Sequence, residues 1–341
     1  MSWNADDFTL VDPEWYAHRY VESDDTFRFI RLRRDEHSRL PFLTDAHLGA
    51  ERPTCDLPTA VCLDALDHGR MAFLFHSAFC GSTMLARAFD RPGLAMGLSE
   101  PVTLNDVFGY RLRRAQAAAV ARAADAACRL LARPFASGET VVVKPSNVIN
   151  PLAELLMALQ DDAPAIFLYA PLSTFLISVA RKGLECRLWV RELLEAYLHA
   201  GIIDLGFSPE DYFRQTDLQI AAVGWLAQHA LFARMAVKFG PMRLRTLNAD
   251  LMIADPVVAL AAAAAHYRLH FAPEVLESIA SGPVFHRHSK TGFRFAAATR
   301  TVEYAAANQA YGAEIDQVLI WAKAVAGAAG INLIAPNPLI G

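Results

Sequence analysis

The chain has 341 residues, long enough for one large α/β domain or a domain with an appendage. It is 54% hydrophobic and 20% charged, a globular profile that excludes a disordered chain. The formal net charge of −4 excludes a broadly basic nucleic-acid-binding face.

The opening run MSWNADDFTLVDPEW is acidic and aromatic, unlike a signal peptide. Residues 1–69 are polar and aromatic, with Thr26–Leu32 alternating as a strand does, and Pro41, Gly49, Pro53 and Pro58 punctuate the rest. They read as an appendage packed on a main domain over 70–341. Five cysteines, at 55, 62, 80, 128 and 186, are scattered without metal-ligand spacing. That pattern predicts reduced thiols, a cytoplasmic setting and no metal.

Met71–Phe75 is a short apolar run with the length of a buried strand. A small-residue loop follows from His76 to Gly81, and Met84, Leu85, Ala86 and Phe89 then recur at helical spacing. Strand, tight loop and helix in that order gather backbone N–H groups around a concavity suited to an anion. Gly81 lets the backbone approach, and Ser82 and Thr83 add hydroxyl donors. Leu94–Leu98 predicts a second strand, with Glu100 directly after it, and Thr103 to about Leu131 predicts helix. Thr140–Lys144 and Ala165–Tyr169 are β-branched or apolar throughout, as in strands buried on both faces. Helix is expected over Pro151–Gln160 and from about Ser173.

Residues 184–239 contain no good strand and read as a helical insertion. Met242–Leu247 is a last strand and Pro256–Leu269 a helix. A basic loop, Phe285–Lys290, precedes an Ala-rich helix from Ala296 to Ala329. The longest apolar stretch, Leu251–Ala265, is cut by Asp255 and Pro256, so no membrane span and no membrane partner is expected. Strands alternating with helices predict an α/β fold, three layers α/β/α around a mostly parallel sheet. Ligands of such sheets sit beyond the carboxyl ends of the strands, where the 76–83 loop, Glu100 and Lys144 all fall.

The loop departs from the G-x-x-x-x-G-K-[ST] nucleotide loop, with His76 for the first Gly and Ser82 for the Lys. Cys80-Gly81-Ser82-Thr83 resembles the end of the 5′-phosphosulfate loop of sulfotransferases, [KR]-[ST]-G-[ST]-[ST], with Phe79 where the basic residue stands. The resemblance covers roughly residues 70–290 and implies a P-loop-type fold with 3′-phosphoadenosine 5′-phosphosulfate as cosubstrate. It further implies sulfuryl transfer to a hydroxyl or amine of a small-molecule acceptor, while the net charge of −4 predicts no nucleic-acid partner. Phe79, Cys80, Gly81, Ser82 and Thr83 then hold the phosphosulfate. Glu100 matches the catalytic Glu that several branches place after the second strand. Lys144 matches the Lys of the cytosolic branch's K-T-H, where the His is replaced by Ser146.

The family's 3′-phosphate signature, an Arg and a Ser eight residues later, falls on Ala170 and Ser178. Arg181 or Lys182, one turn on, or Arg287 and Lys290 of the basic loop, can supply the charge instead. Two other readings stay open at this point. One is a phosphotransferase using a nucleoside triphosphate, against which the absent loop Lys speaks. The other is a non-catalytic nucleotide-binding module, for which the two missing cations speak.

Overall fold

Trp15–Val21 (β1), Thr26–Arg31 (β2) and Thr54–Pro58 (β3) form an antiparallel three-stranded sheet in the order β1-β2-β3. Trp15, Phe27 and Phe29 turn one face of it inward, each at most 1% exposed. The β1–β2 register slips between Ala17 and Arg19, a bulge at His18. The bulge re-aims His18 so that its Nε2 lies 2.6 Å from Asp45. The fold is read from a computed structural model that describes residues 8–49, 52–286 and 297–341.

A second sheet contains Met71–His76 (β4), Ala95–Ser99 (β5), Thr140–Lys144 (β6), Ala165–Tyr169 (β7) and Leu244–Asn248 (β8). Its order is β5-β6-β4-β7-β8. β6 pairs parallel with β4 and with β5, and every residue of β4, β6 and β7 is buried. The continuous apolar runs arise here because strands covered on both faces have no solvent side on which to alternate. This is the α/β class with a parallel sheet that the alternation of elements predicts.

The chain folds as two units. The first comprises Met1–Phe75, Ser82–Ala165 and Ala263–Val275. In it the helix Ser82–Ala88 lies so close to β5 that a Cβ on Gly97 would stand 2.7 Å from the Ala86 carbonyl oxygen. The predicted helix from Thr103 to Leu131 is two helices, Val102–Leu112 and Ala117–Leu131, broken where Arg114 takes φ +64°. Arg133 joins the N-terminal segment to this unit, donating to the carbonyls of Leu10, Asp12 and Trp15.

The second unit comprises His76–Gly81, Ile166–Ala262 and Leu276–Gly341. Its helices include Leu172–Arg181, Gly183–His199, Pro209–Arg214, Asp217–Phe239 and Ala297–Ala328. Asp217–Phe239 is long and apolar enough to cross a membrane by length and composition alone. Most of it is buried inside the protein, as in a core helix that is apolar all round. A capping box of Thr216 and Gln219 begins it and Gly240 ends it. Residues after the last helix return to β8, where Thr246 donates to Asn337 and accepts from the amide of Leu339. That covers a strand edge.

Candidate functional site

Two groups of side chains carry chemistry, one in each unit. In the first unit, β5 and β6 run parallel with Ser99 opposite Lys144. One residue further the ladder continues, the Glu100 amide donating to the Lys144 carbonyl at 2.7 Å. Glu100 takes φ +54°, a left-handed conformation that a non-glycine residue adopts at a cost. The turn brings its carboxylate to the adjacent strand end, with Oε1 2.6 Å from the Lys144 Nζ.

The two partners differ in access to water. The Lys144 side chain is 0% exposed and that of Glu100 is 23% exposed. Phe42 lies with its ring centroid 5.3 Å from the same Nζ, so the ammonium meets a carboxylate and an aromatic ring. Phe42 arrives from the N-terminal segment, which is tied to β5 by the Leu43 amide donating to the Ser99 carbonyl. A buried lysine persists as a cation only when paired and hydrogen-bonded, and Glu100 meets that need. Ser82 and Thr83, both 6% exposed, begin the helix of this unit that follows the loop.

In the second unit, the loop His76–Gly81 is turned by three residues with positive φ: Ala78 at +71°, Phe79 at +53° and Gly81 at +81°. Only glycine adopts this without strain. His76 accepts the Ala78 amide at Nδ1, 3.1 Å, which leaves the neutral ring's proton on Nε2. Ser77 fixes the base of the loop. Its amide donates to the Leu168 carbonyl, and its hydroxyl accepts the Ala170 amide at 3.1 Å. The Ala170 carbonyl is taken by Trp225 Nε1 at 2.9 Å. Cys80 is 1% exposed, and Phe79 is half-buried.

Phe79 packs against Phe175 (centroids 5.7 Å apart) and edge-to-face against Trp189 (5.6 Å), and Lys182 places its Nζ 5.4 Å from the Phe79 ring centre. Ser178 is 3% exposed and its hydroxyl donates to the Thr174 carbonyl one turn back. Arg181 closes the same helix and is exposed. Ala170 is fully buried. Arg287 and Lys290 lie outside the described residues. Among the described residues no cluster of three or more His, Cys, Asp or Glu side chains is arranged to hold a metal.

The structure thus brings Glu100 and Lys144 together, and it sets Phe79 beside Lys182. Sequence reasoning missed Phe42, because a contact over about a hundred positions leaves no local signal. It passed over Ser77, although a hydroxyl directly after a buried strand was visible.

No family model matches the chain, and no curated protein does. Three solved structures similar to it are sulfotransferases. One is the sulfotransferase domain from the curacin biosynthetic pathway, at 14% identity and a TM-score of 0.43, covering 67% of this chain and 85% of that one. A second is sulfotransferase STF1 from Mycobacterium tuberculosis, at 13% and 0.40, covering 72% and 79%. A third is sulfotransferase STF9 from Mycobacterium avium, at 15% and 0.44, covering 76% and 79%.

Proposed function

We propose that this chain is a transferase that moves a sulfuryl group from 3′-phosphoadenosine 5′-phosphosulfate to a hydroxyl or amine of a small molecule. The observation that carries the reading is the Glu100–Lys144 pair at the ends of adjacent parallel strands, where ligands of such sheets gather. In this reading Glu100 accepts the acceptor's proton as the new bond to sulfur forms. Lys144 meets the negative charge that collects on the phosphate side as the old S–O bond breaks. The 76–83 loop offers amides and the hydroxyls of Ser82 and Thr83 to the phosphosulfate.

The fit to the 3′-phosphate is poorer. Ala170 is enclosed, and the Ser178 hydroxyl proton is committed to Thr174. That observation favours the second reading, a nucleotide-binding module without turnover. A thermal-shift panel with 3′,5′-bisphosphoadenosine, ATP, GTP and AMP separates them from a phosphotransferase, because a ligand of the folded state raises the unfolding midpoint. The bisphosphate is expected to give the largest shift. A larger shift with ATP or GTP would turn the reading toward phosphoryl transfer. A shift with the bisphosphate but no turnover over a panel of acceptors would leave the binding module.

A further inference from the structure

The loop His76–Gly81 carries no residue with a full charge. Backbone amides alone hold a divalent anion weakly against water, so a formal positive charge nearby decides affinity. Resting on the reading just given, we infer that Lys182 is the cation serving this loop, carried to it on the ring of Phe79.

Three features of the second unit place it there. Lys182 caps the helix Leu172–Arg181 with right-handed helical angles and also precedes the helix Gly183–His199. Gly183, at φ +72°, turns the chain between them, so the lysine stands at a short elbow rather than in a long loop. Phe79 is fixed from both arms of that elbow, by Phe175 of the first helix and Trp189 of the second. The Lys182 Nζ lies 5.4 Å from the centre of the Phe79 ring.

A ring face attracts a cation without carrying a charge of its own, so the lysine's charge is positioned there and not cancelled by the ring. The residue is exposed to solvent. The ligand class is the phosphate or phosphosulfate end of a nucleotide. An ordinary role also accounts for a lysine here, since a cation in the last turn suits the helix dipole. That role predicts an effect on stability, whereas the inference predicts an effect on affinity.

The test is calorimetric titration of the full chain with 3′,5′-bisphosphoadenosine, for the wild type, Lys182→Met and Lys182→Arg. Met keeps the apolar stem and removes the charge, and Arg restores it. Lys182→Met is expected to weaken binding about ten-fold or more, the loss of one charge-assisted contact. Its affinity should also fall less steeply with added salt than the wild type's. Lys182→Arg should bind within about three-fold of wild type, as a charge still carried over the ring. Wild-type affinity in Lys182→Met would overturn the inference and leave the functional reading standing. Equal weakening in Met and Arg would overturn it as well, by showing that shape and not charge matters. A wild type that does not bind the bisphosphate would overturn the reading itself, and the inference with it.

Discussion

Glu100 and Lys144 form a pair whose members bear its loss differently. The lysine has no exposed surface, whereas about a quarter of the carboxylate side chain is open. Removing the carboxylate takes the negative charge away from a buried ammonium, and breaking a buried pair from one side costs about 3–5 kcal/mol. Removing the ammonium leaves a carboxylate that water can reach. Glu100→Gln, which keeps an acceptor for Nζ, is therefore expected to lower stability more than Lys144→Met does. Denaturant melts of the two variants check this, and the reverse ranking would contradict the unequal burial. In turnover, Glu100→Gln should lose roughly 10²–10⁴-fold with bisphosphoadenosine affinity nearly intact, the usual span for a lost general base. Lys144→Met should reduce turnover far more than that affinity, because its contact strengthens in the transition state. Equal losses in both would mark Lys144 as an ordinary ground-state ligand. Both residues were legible in the sequence because each directly follows or ends a short apolar run, and parallel strands put such ends side by side. Phe42 was not, since its place over Lys144 depends on how the N-terminal segment docks.

Among the elements, the ones read correctly from sequence are those with the simplest environment. β4, β6 and β7 are buried along their whole length, so their apolar runs mark them with boundaries within a residue. β1 and β3 escaped notice for local reasons. The bulge at His18 breaks the alternation of β1, and β3 is five residues ending in proline. The helix expected to start at Pro151 begins instead as a 3-10 turn at Asn147, where the Ser146 hydroxyl accepts the Val148 amide. The 76–81 loop was legible as a turn, but not the left-handed angles at Ala78 and Phe79 that set its shape. Gly81 holds the third such angle, and a β-branched residue is disfavoured there. Gly81→Val is expected to abolish bisphosphoadenosine binding while far-UV circular dichroism stays as in the wild type. Undiminished affinity would remove the loop from the binding site.

At the scale of the molecule, each unit encloses a neutral histidine. His37, in the first unit, is pushed down to about 4 by burial and by the Arg34 guanidinium, against the opposing pull of Asp90 and Glu139. His229, in the second, is pushed down to about 3 by burial. It stacks on Trp225 and meets Phe167 and Tyr169 edge-to-face, and neither ring nitrogen has a hydrogen-bond partner among the described residues. The unfolded chain binds protons at both residues from about pH 6.5 downward, and the folded chain does not until near pH 4 and below. Stability is therefore full above pH 6.5 and falls as the pH drops through that window, by up to about 1.4 kcal/mol per unit for each histidine. His229→Phe keeps an aromatic ring in the stack and removes both unsatisfied nitrogens. It should be at least as stable as wild type at pH 7 and lose less on going to pH 5, as read from urea melts at the two values. An unchanged difference between those pH values would show that His229 is not the source.

The enclosure of Ala170 bears on how the chain can change. Its amide is held by Ser77 and its carbonyl by Trp225, with no surface open to solvent. An arginine introduced there would have to bury a guanidinium or prise the indole from its acceptor, and Ala170→Arg is expected to give insoluble protein. A cation at this position is thus out of reach by a single substitution, and its route runs through at least one of two neighbours distant in sequence. Position 182 carries no such barrier, since it is exposed and sits at an elbow. On the proposed reading, selection for tighter or altered nucleotide preference, in nature or in a library, is channelled toward the elbow and away from the strand end.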